Sequence, residues 1–266
     1  MAEKEHGAMT TVSEVATKWL KDKGMPLYSQ EELSSKLNDV ERKAQIKAAK
    51  DYLKLKRRVY SRDSLWPSGN EITFSFERWD PNMQKDVKHA QAIKDKAFHI
   101  LEKMDTKNIN VMLAGNAGTG KTAMALAMLD SFNKFTDRTT MFVSSVSLRE
   151  LVMHDFNDIK ASDKLARVKK SMIDVDVLVI DDFGSEVGMS GNGKQATERL
   201  QQFYMRIADA RFETDKDGNR TKSNIITTNN TRDELNSMYN EKLLSRLVTK
   251  RNDNILIFAN MEDMRE

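Results

Sequence analysis

The residues with the clearest chemical potential are eight in a row, Gly115-Asn-Ala-Gly-Thr-Gly-Lys-Thr122, with the spacing GxxxxGK[ST]. Each residue type has a physical reason to be there. Glycines let successive backbone N–H groups turn inward onto phosphate oxygens, and a helix starting at the loop adds the positive end of its dipole. Lys121 brings a compact positive charge to the β- and γ-phosphates, and Thr122 offers a hydroxyl to Mg²⁺. The expected nucleoside-triphosphate cradle is therefore Gly115, Asn116, Ala117, Gly118, Thr119, Gly120, Lys121 and Thr122.

Two further constellations fit the same chemistry. Val175-Asp-Val-Leu-Val-Ile-Asp-Asp-Phe-Gly184 is a nearly unbroken apolar run ending in two carboxylates. A strand buried on both faces reads this way, and ligands bind beyond the carboxyl ends of strands in an open α/β sheet. Asp181 would hold Mg²⁺, usually through water. Asp182 would orient or deprotonate an attacking water. Ser223-Asn-Ile-Ile-Thr-Thr-Asn229 ends at the same rim, where Asn229 can hydrogen-bond a γ-phosphate or its water, although Asn is also favoured at any strand–turn junction.

These groups need a scaffold, and the pattern supplies one. Val111-Met-Leu113 reads as a strand before the loop. Leu126, Leu129 and Phe132, with Ala123, Ala125 and Met128, read as an amphipathic helix after it. Apolar β-branched runs then alternate with helical stretches, which implies βαβ units and a parallel sheet. Strands are expected at about Thr139–Val146, at the two runs above and at Asn254–Phe258, with a helix over Lys194–Arg211.

The chain is 266 residues long, enough for one large or two smaller domains, and its 31% charged and 39% hydrophobic residues describe a globular protein. It has no Cys, which excludes disulfides, cysteine–zinc sites, iron–sulfur clusters and thiol catalysis. The four His show no metal-ligand spacing, so no zinc is expected. No apolar segment is long enough to span a membrane and no signal peptide is legible, so the expected location is the cytoplasm.

Upstream of residue 61 the pattern is purely helical. Val12, Val15, Ala16, Trp19 and Leu20 share one helical face, which Gly24 and Pro26 end. A second helix begins with the capping box Ser29/Glu32 and carries the stripe Leu33, Leu37, Val40, Ala44, Ala48, Tyr52, Leu55, Val59. Residues 41–62 hold nine basic and two acidic residues, so this helix carries +7 of a chain whose net charge is only +3. Such a run fits a phosphate backbone, an acidic protein surface or simply a solvated face. Residues 61–70 are dense in turn formers. The expected division is a helical domain over 1–66, a linker and start of the core over 67–82, and an ATPase domain over 83–266.

The order strand, phosphate loop, helix, strand, acid strand, helix, Asn strand resembles the AAA+ ATPases. More narrowly it is similar to the DnaC/DnaI-type replicative helicase loaders and the related IstB transposition helpers. Ser75-Phe-Glu-Arg-Trp79, Gly115–Thr122, Leu178-Val-Ile-Asp-Asp-Phe-Gly184, Ile225-Ile-Thr-Thr-Asn229, Leu244-Ser-Arg-Leu247 and Phe258-Ala-Asn-Met-Glu-Asp-Met-Arg265 carry the resemblance, over residues 72–266. It implies an α/β core with a five-stranded parallel sheet, flanking helices and no full helical lid. It implies ATP and Mg²⁺ as cofactors, Arg246 as an arginine finger acting on a neighbouring subunit's γ-phosphate, and Arg265 as a second sensor in cis. It also implies self-association through the ATP site, a replicative hexameric helicase gripped by the N-terminal helices, and a single-stranded DNA path lined by Arg149, Lys160, Lys164, Arg167, Lys169 and Lys170. Two other readings share the site: an IstB-like helper acting on duplex DNA, and a small-molecule P-loop kinase. The sequence departs from the pattern at Ala123-Met124, where many loaders carry His-Leu, and at Asp182, where vigorous motors carry Glu. The shorter carboxylate implies slow hydrolysis, with ATP acting as a switch.

Overall fold

The computed structural model describes residues 21–24, 30–154, 158–188 and 195–264. The chain divides into two compact units, Met1–Tyr52 and Leu53–Glu266. Helix α1 (Gln30–Asp63) begins in the first and ends in the second. In the first unit every residue from 38 to 52 is exposed, with the large apolar Val40, Ile46 and Tyr52 among them. The expected helix over Val12–Leu20 and the cap Ser29 lie outside the described residues.

The second unit is built on five parallel strands: β1 (Asn110–Ala114), β2 (Thr140–Ser144), β3 (Val177–Asp181), β4 (Ser223–Thr228) and β5 (Ile255–Ile257). Their order across the sheet is β2-β3-β4-β1-β5. The helices are α2 (Val87–Thr106), α3 (Lys121–Phe135), α4 (Ser145–His154), α5 (Ile159–Asp174), the single turn α6 (Ser185–Gly188), α7 (Glu198–Arg211), α8 (Arg232–Met238) and α9 (Glu241–Leu247). This is the α/β architecture with a five-stranded parallel sheet expected from the sequence.

The period-2 alternation of the strands divides their side chains between two cores. Val111, Leu113, Phe142, Val177, Val179 and Ile225 pack with α2 and α3. Met141, Val143, Leu178, Ile180 and Ile226 pack with α4, α5, α7 and α9 on the other face. Both faces are covered, which explains why β3 and β4 are apolar without a break.

The region read as a linker is more tightly held than its composition suggests. The Arg57 guanidinium donates to the carbonyls of Asn133, Thr136 and Arg138. Tyr60 and Leu65 are buried in the sheet's core. Leu65 pairs with the outer edge of β2 opposite Val143, its N–H donating to the Phe142 carbonyl at 2.9 Å and its carbonyl accepting from the Ser144 N–H at 2.8 Å. Trp66 stacks on Phe142 at 4.5 Å. The second compact unit thus begins within α1, whose last turns pack Val59 and Tyr60 against the core. The segment covers what would otherwise be an open sheet edge.

Candidate functional site

The phosphate loop joins β1 to α3. Gly115, Gly118 and Gly120 all have positive φ, and Gly120 caps α3 at +92°. Gly120 has a second reason to lack a side chain: a Cβ there would lie 2.8 Å from the Trp79 ring. Thr119 is buried and its hydroxyl donates to the Asn116 carbonyl at 2.8 Å, closing the loop on itself. Lys121 is buried at the first position of α3 and its ammonium donates to the same carbonyl. Asn116 and Ala117 form the exposed tip.

Register brings the first acid to this loop. Asp181 follows Val177 and Val179 on the α3 face of β3, so its carboxylate points at the start of α3. Its Oδ1 accepts from the Thr122 hydroxyl at 2.8 Å and from the Thr227 hydroxyl at 2.7 Å. Burial pushes this carboxyl up to about 6, the two hydroxyls and Lys121 pull it back, and the neighbouring Asp182 adds to the rise. Among the described residues no cluster of three His, Asp or Glu could hold a metal. The pair Thr122 Oγ1 and Asp181 Oδ1 nevertheless fits Mg²⁺, which takes hard oxygen donors and is commonly held by one or two carboxylates together with substrate phosphates.

The second acid is turned away from the first by the backbone. Asp182 sits at φ +54°, a left-handed conformation that Asp tolerates better than most residues. Phe183, next to it, is wholly buried and stacks on Tyr239 at 4.5 Å. Driving Phe183 inward leaves Asp182 half-buried at the rim. Asn229, exposed at the end of β4, donates to the Asp182 carboxylate at 3.4 Å. The turn is pinned from below by Glu186, which has no exposed surface. Glu186 accepts from the Gly184 N–H at 2.8 Å and from the Tyr239 hydroxyl. Burial raises the Glu186 carboxyl above the usual range. Nothing in the sequence pattern singled out Glu186 or Tyr239; their role is visible only once α8 is seen to return beneath the turn.

A strap of chain after β5 also reaches the loop. The Phe258 N–H donates to the Ala114 carbonyl at 2.7 Å, and the Met264 N–H to the Gly118 carbonyl at 3.0 Å. Glu262 exchanges backbone bonds with the Gln84 amide and pairs with Lys85. The Asp263 carboxylate lies directly over Gly118, where any side chain would collide with it. Arg265 lies outside the described residues.

Arg246 occupies the other end of the sheet. Its carbonyl accepts from the Asn110 amide at 2.7 Å. Asn110 opens β1 and the phosphate loop follows its last residue, so four steps of about 3.3 Å separate the two ends of the strand. The Arg246 side chain is paired with Asp209, and its guanidinium carbon lies 5.6 Å from the centre of the Phe212 ring. Arg246 therefore does not belong to its own chain's phosphate site.

The six basic residues expected along a DNA path do not form one surface. Lys160, Lys164, Arg167 and Lys170 are exposed on α5, and Arg149 is half-buried on α4. Lys169 lines a groove between α5 and α7 of about 300 Å³, with Arg199 and Arg206 opposite. Lys164 borders a different cavity with Trp66, Glu150 and His154. The spacing of seven residues places Arg199 and Arg206 on one face of α7.

A family model described as IstB-like ATP binding protein matches residues 105–252. No curated protein matches the sequence. Among solved structures, AMPPCP-bound DnaA from Aquifex aeolicus is similar at 15% identity and TM-score 0.48, covering 64% of this chain and 47% of that one. Domain III of the Thermotoga maritima replication initiation protein DnaA is similar at 20% identity and TM-score 0.43, covering 65% and 62%. A DnaC helicase loader is similar at 19% identity and TM-score 0.42, covering 64% and 89%. The chain spans about half the length of the first replication-initiator structures that it matches, 47%, 48% and 50%.

Proposed function

The chain belongs to the IstB-like ATP-binding protein family, and from that premise we propose that it is an ATP-dependent loader of a replicative ring helicase onto single-stranded DNA. ATP binding and slow hydrolysis act as its assembly switch. The observation that carries the nucleotide part is the convergence of Lys121, Thr122 and Asp181 at one end of the sheet, with Asp182 and Asn229 beside them.

In this reading the loop N–H groups and Lys121 hold the triphosphate, and Thr122 and Asp181 are the residues that would hold Mg²⁺. Such an ion would supply positive charge that offsets the charge of the phosphates. Asp182 accepts a proton from the attacking water, and Asn229 keeps that carboxylate and the water in place. The short reach of Asp182 makes this step slow. Arg246, remote from its own loop, serves the triphosphate of a neighbouring copy, so ATP draws copies together head to tail. The exposed Val40, Ile46 and Tyr52 on the N-terminal unit's helix give the helicase an apolar surface, and the exposed Lys160, Lys164 and Arg167, on one face of α5, are offered to DNA.

The test is loading itself. The full chain, a purified ring helicase and circular single-stranded DNA are mixed with and without ATP, and helicase on the circle is counted. ATP-dependent deposition supports the reading; a helicase left in solution under both conditions overturns it. The family description favours one second reading, an IstB-like helper that assembles on duplex DNA and recruits a transposase. Capture of a transposase on duplex DNA, with no deposition on single strands, would move the assignment there.

A further inference from the structure

Arg246 is surrounded by groups whose arrangement goes beyond what an isolated surface arginine needs. Phe212, just past the end of α7 and 43% exposed, carries two guanidinium groups on one ring, Arg220 at 4.7 Å from its centre and Arg246 at 5.6 Å. Arg220 also makes long bonds of 3.5 Å to the Arg246 carbonyl and to the Asn110 side chain. Arg220 is itself fixed. It ends a short hairpin bridged to Thr214, whose turn is tied by the Asp215 carboxylate accepting from the N–H groups of Asp217 and Asn219 at 2.9 Å. The Asn108 amide donates to the Arg220 carbonyl at 2.9 Å. Asp209 grips Arg246 from the other side.

Two like charges on one ring repel, and nothing about stability alone requires it. The neighbourhood adds more positive charge. Arg220 lines a cavity of about 870 Å³ with Lys107, Lys250 and Arg251, against the single carboxylate of Asp215, which is already engaged in its turn. This end of the molecule is therefore suited to an anion, and a guanidinium stacked on an aromatic ring is directed in a way that an ammonium is not.

We propose that Arg220, through the Phe212 ring, is a positioning residue for Arg246: it holds the finger in the direction from which it reaches the triphosphate bound by a second copy of this chain. The proposal rests on the reading of Arg246 as a residue that acts in trans. Arg220 touches no reacting atom. It fixes the ring and the carbonyl end of Arg246, while Asp209 balances the charge until the neighbour's phosphates replace it.

ATP turnover per chain is measured against protein concentration for the full chain and for Arg220→Ala, Arg220→Lys, Phe212→Leu and Arg246→Ala. Nucleotide affinity at high dilution and thermal midpoint are recorded for each. Turnover of the wild type rises with concentration, and Arg246→Ala removes that rise. Arg220→Ala and Phe212→Leu lower the rise about tenfold or more, with nucleotide affinity unchanged because the loop is at the far end of β1. Arg220→Lys fails to rescue, and Arg220→Ala adds nothing in an Arg246→Ala background. An unchanged rise in Arg220→Ala, or full rescue by Lys, overturns the proposal while leaving Arg246 in place. An unchanged rise in Arg246→Ala overturns the trans reading beneath it. Should Arg220→Ala fail to fold, Phe212→Leu and Arg220→Lys decide the matter.

Discussion

At the scale of single residues, the site combines one acid whose environment resists its charge with a loop that expects negative charge. Asp181 is nearly buried and titrates at about 6, mainly through burial. Its ionised form is the one that can serve Mg²⁺. Nucleotide affinity in the presence of Mg²⁺ should therefore fall as pH drops through about 6, and Asp181→Asn should bind more weakly with a flat profile; titrations between pH 5 and 8 check this. Stability runs the other way. A carboxyl raised from its ordinary value of 3.8 contributes most below that value and loses its share as pH rises through about 6. Asp181→Asn should thus be the more stable chain at pH 7.5 by thermal unfolding. Asp263 supplies a second residue-scale expectation. Its carboxylate lies over Gly118 and places negative charge where a phosphate would approach the loop, so Asp263→Ala should bind triphosphate several-fold more tightly. Equal affinity in a titration of both chains would remove Asp263 from the site.

At the scale of elements, what could be read from the sequence is what depends on local periodicity. The loop, the unbroken apolar run of β3 and the polar end of β4 were all legible, since a strand buried on both faces has a composition of its own and the phosphate loop has a spacing of its own. The packing of residues 64–66 was not legible because Ser61-Arg-Asp-Ser-Leu-Trp-Pro looks like a turn region. Only the partner strand β2 reveals that Leu65 pairs and Trp66 stacks. Glu186 was invisible for a similar reason: its partners, Gly184 and Tyr239, are brought together by the return of α8. Removing its carboxylate frees the Asp182 turn, so Glu186→Leu should lower turnover more than it lowers nucleotide affinity, read as a fall in kcat with KM nearly unchanged. Arg211 shows the structural counterpart. Its guanidinium, fully buried and lowered to about 9 by that burial, joins α5, the residue that ends it and β4 through the Met172, Val175 and Ser223 carbonyls and the Asn224 side chain. Arg211→Ala leaves those acceptors unpaired and should cost about 3–5 kcal/mol in denaturant unfolding.

At the scale of the whole molecule, the length of the sheet separates the phosphate loop from Arg246. Phosphate-binding groups gather at the carboxyl ends of the strands, and Arg246 with its supporting ring lies at the amino ends. If Arg246 serves the triphosphate of a second copy, as proposed, the foot of one copy meets the rim of another in a head-to-tail contact that repeats. Self-association should therefore require both ends and the nucleotide. The most direct measurement is calorimetric titration of the full chain with ATP in the presence of Mg²⁺, alongside Lys121→Ala. The account predicts binding of one nucleotide per chain, with affinity lowered about a hundredfold or more in Lys121→Ala. No heat of binding in the wild type, or identical isotherms for the two chains, would contradict it.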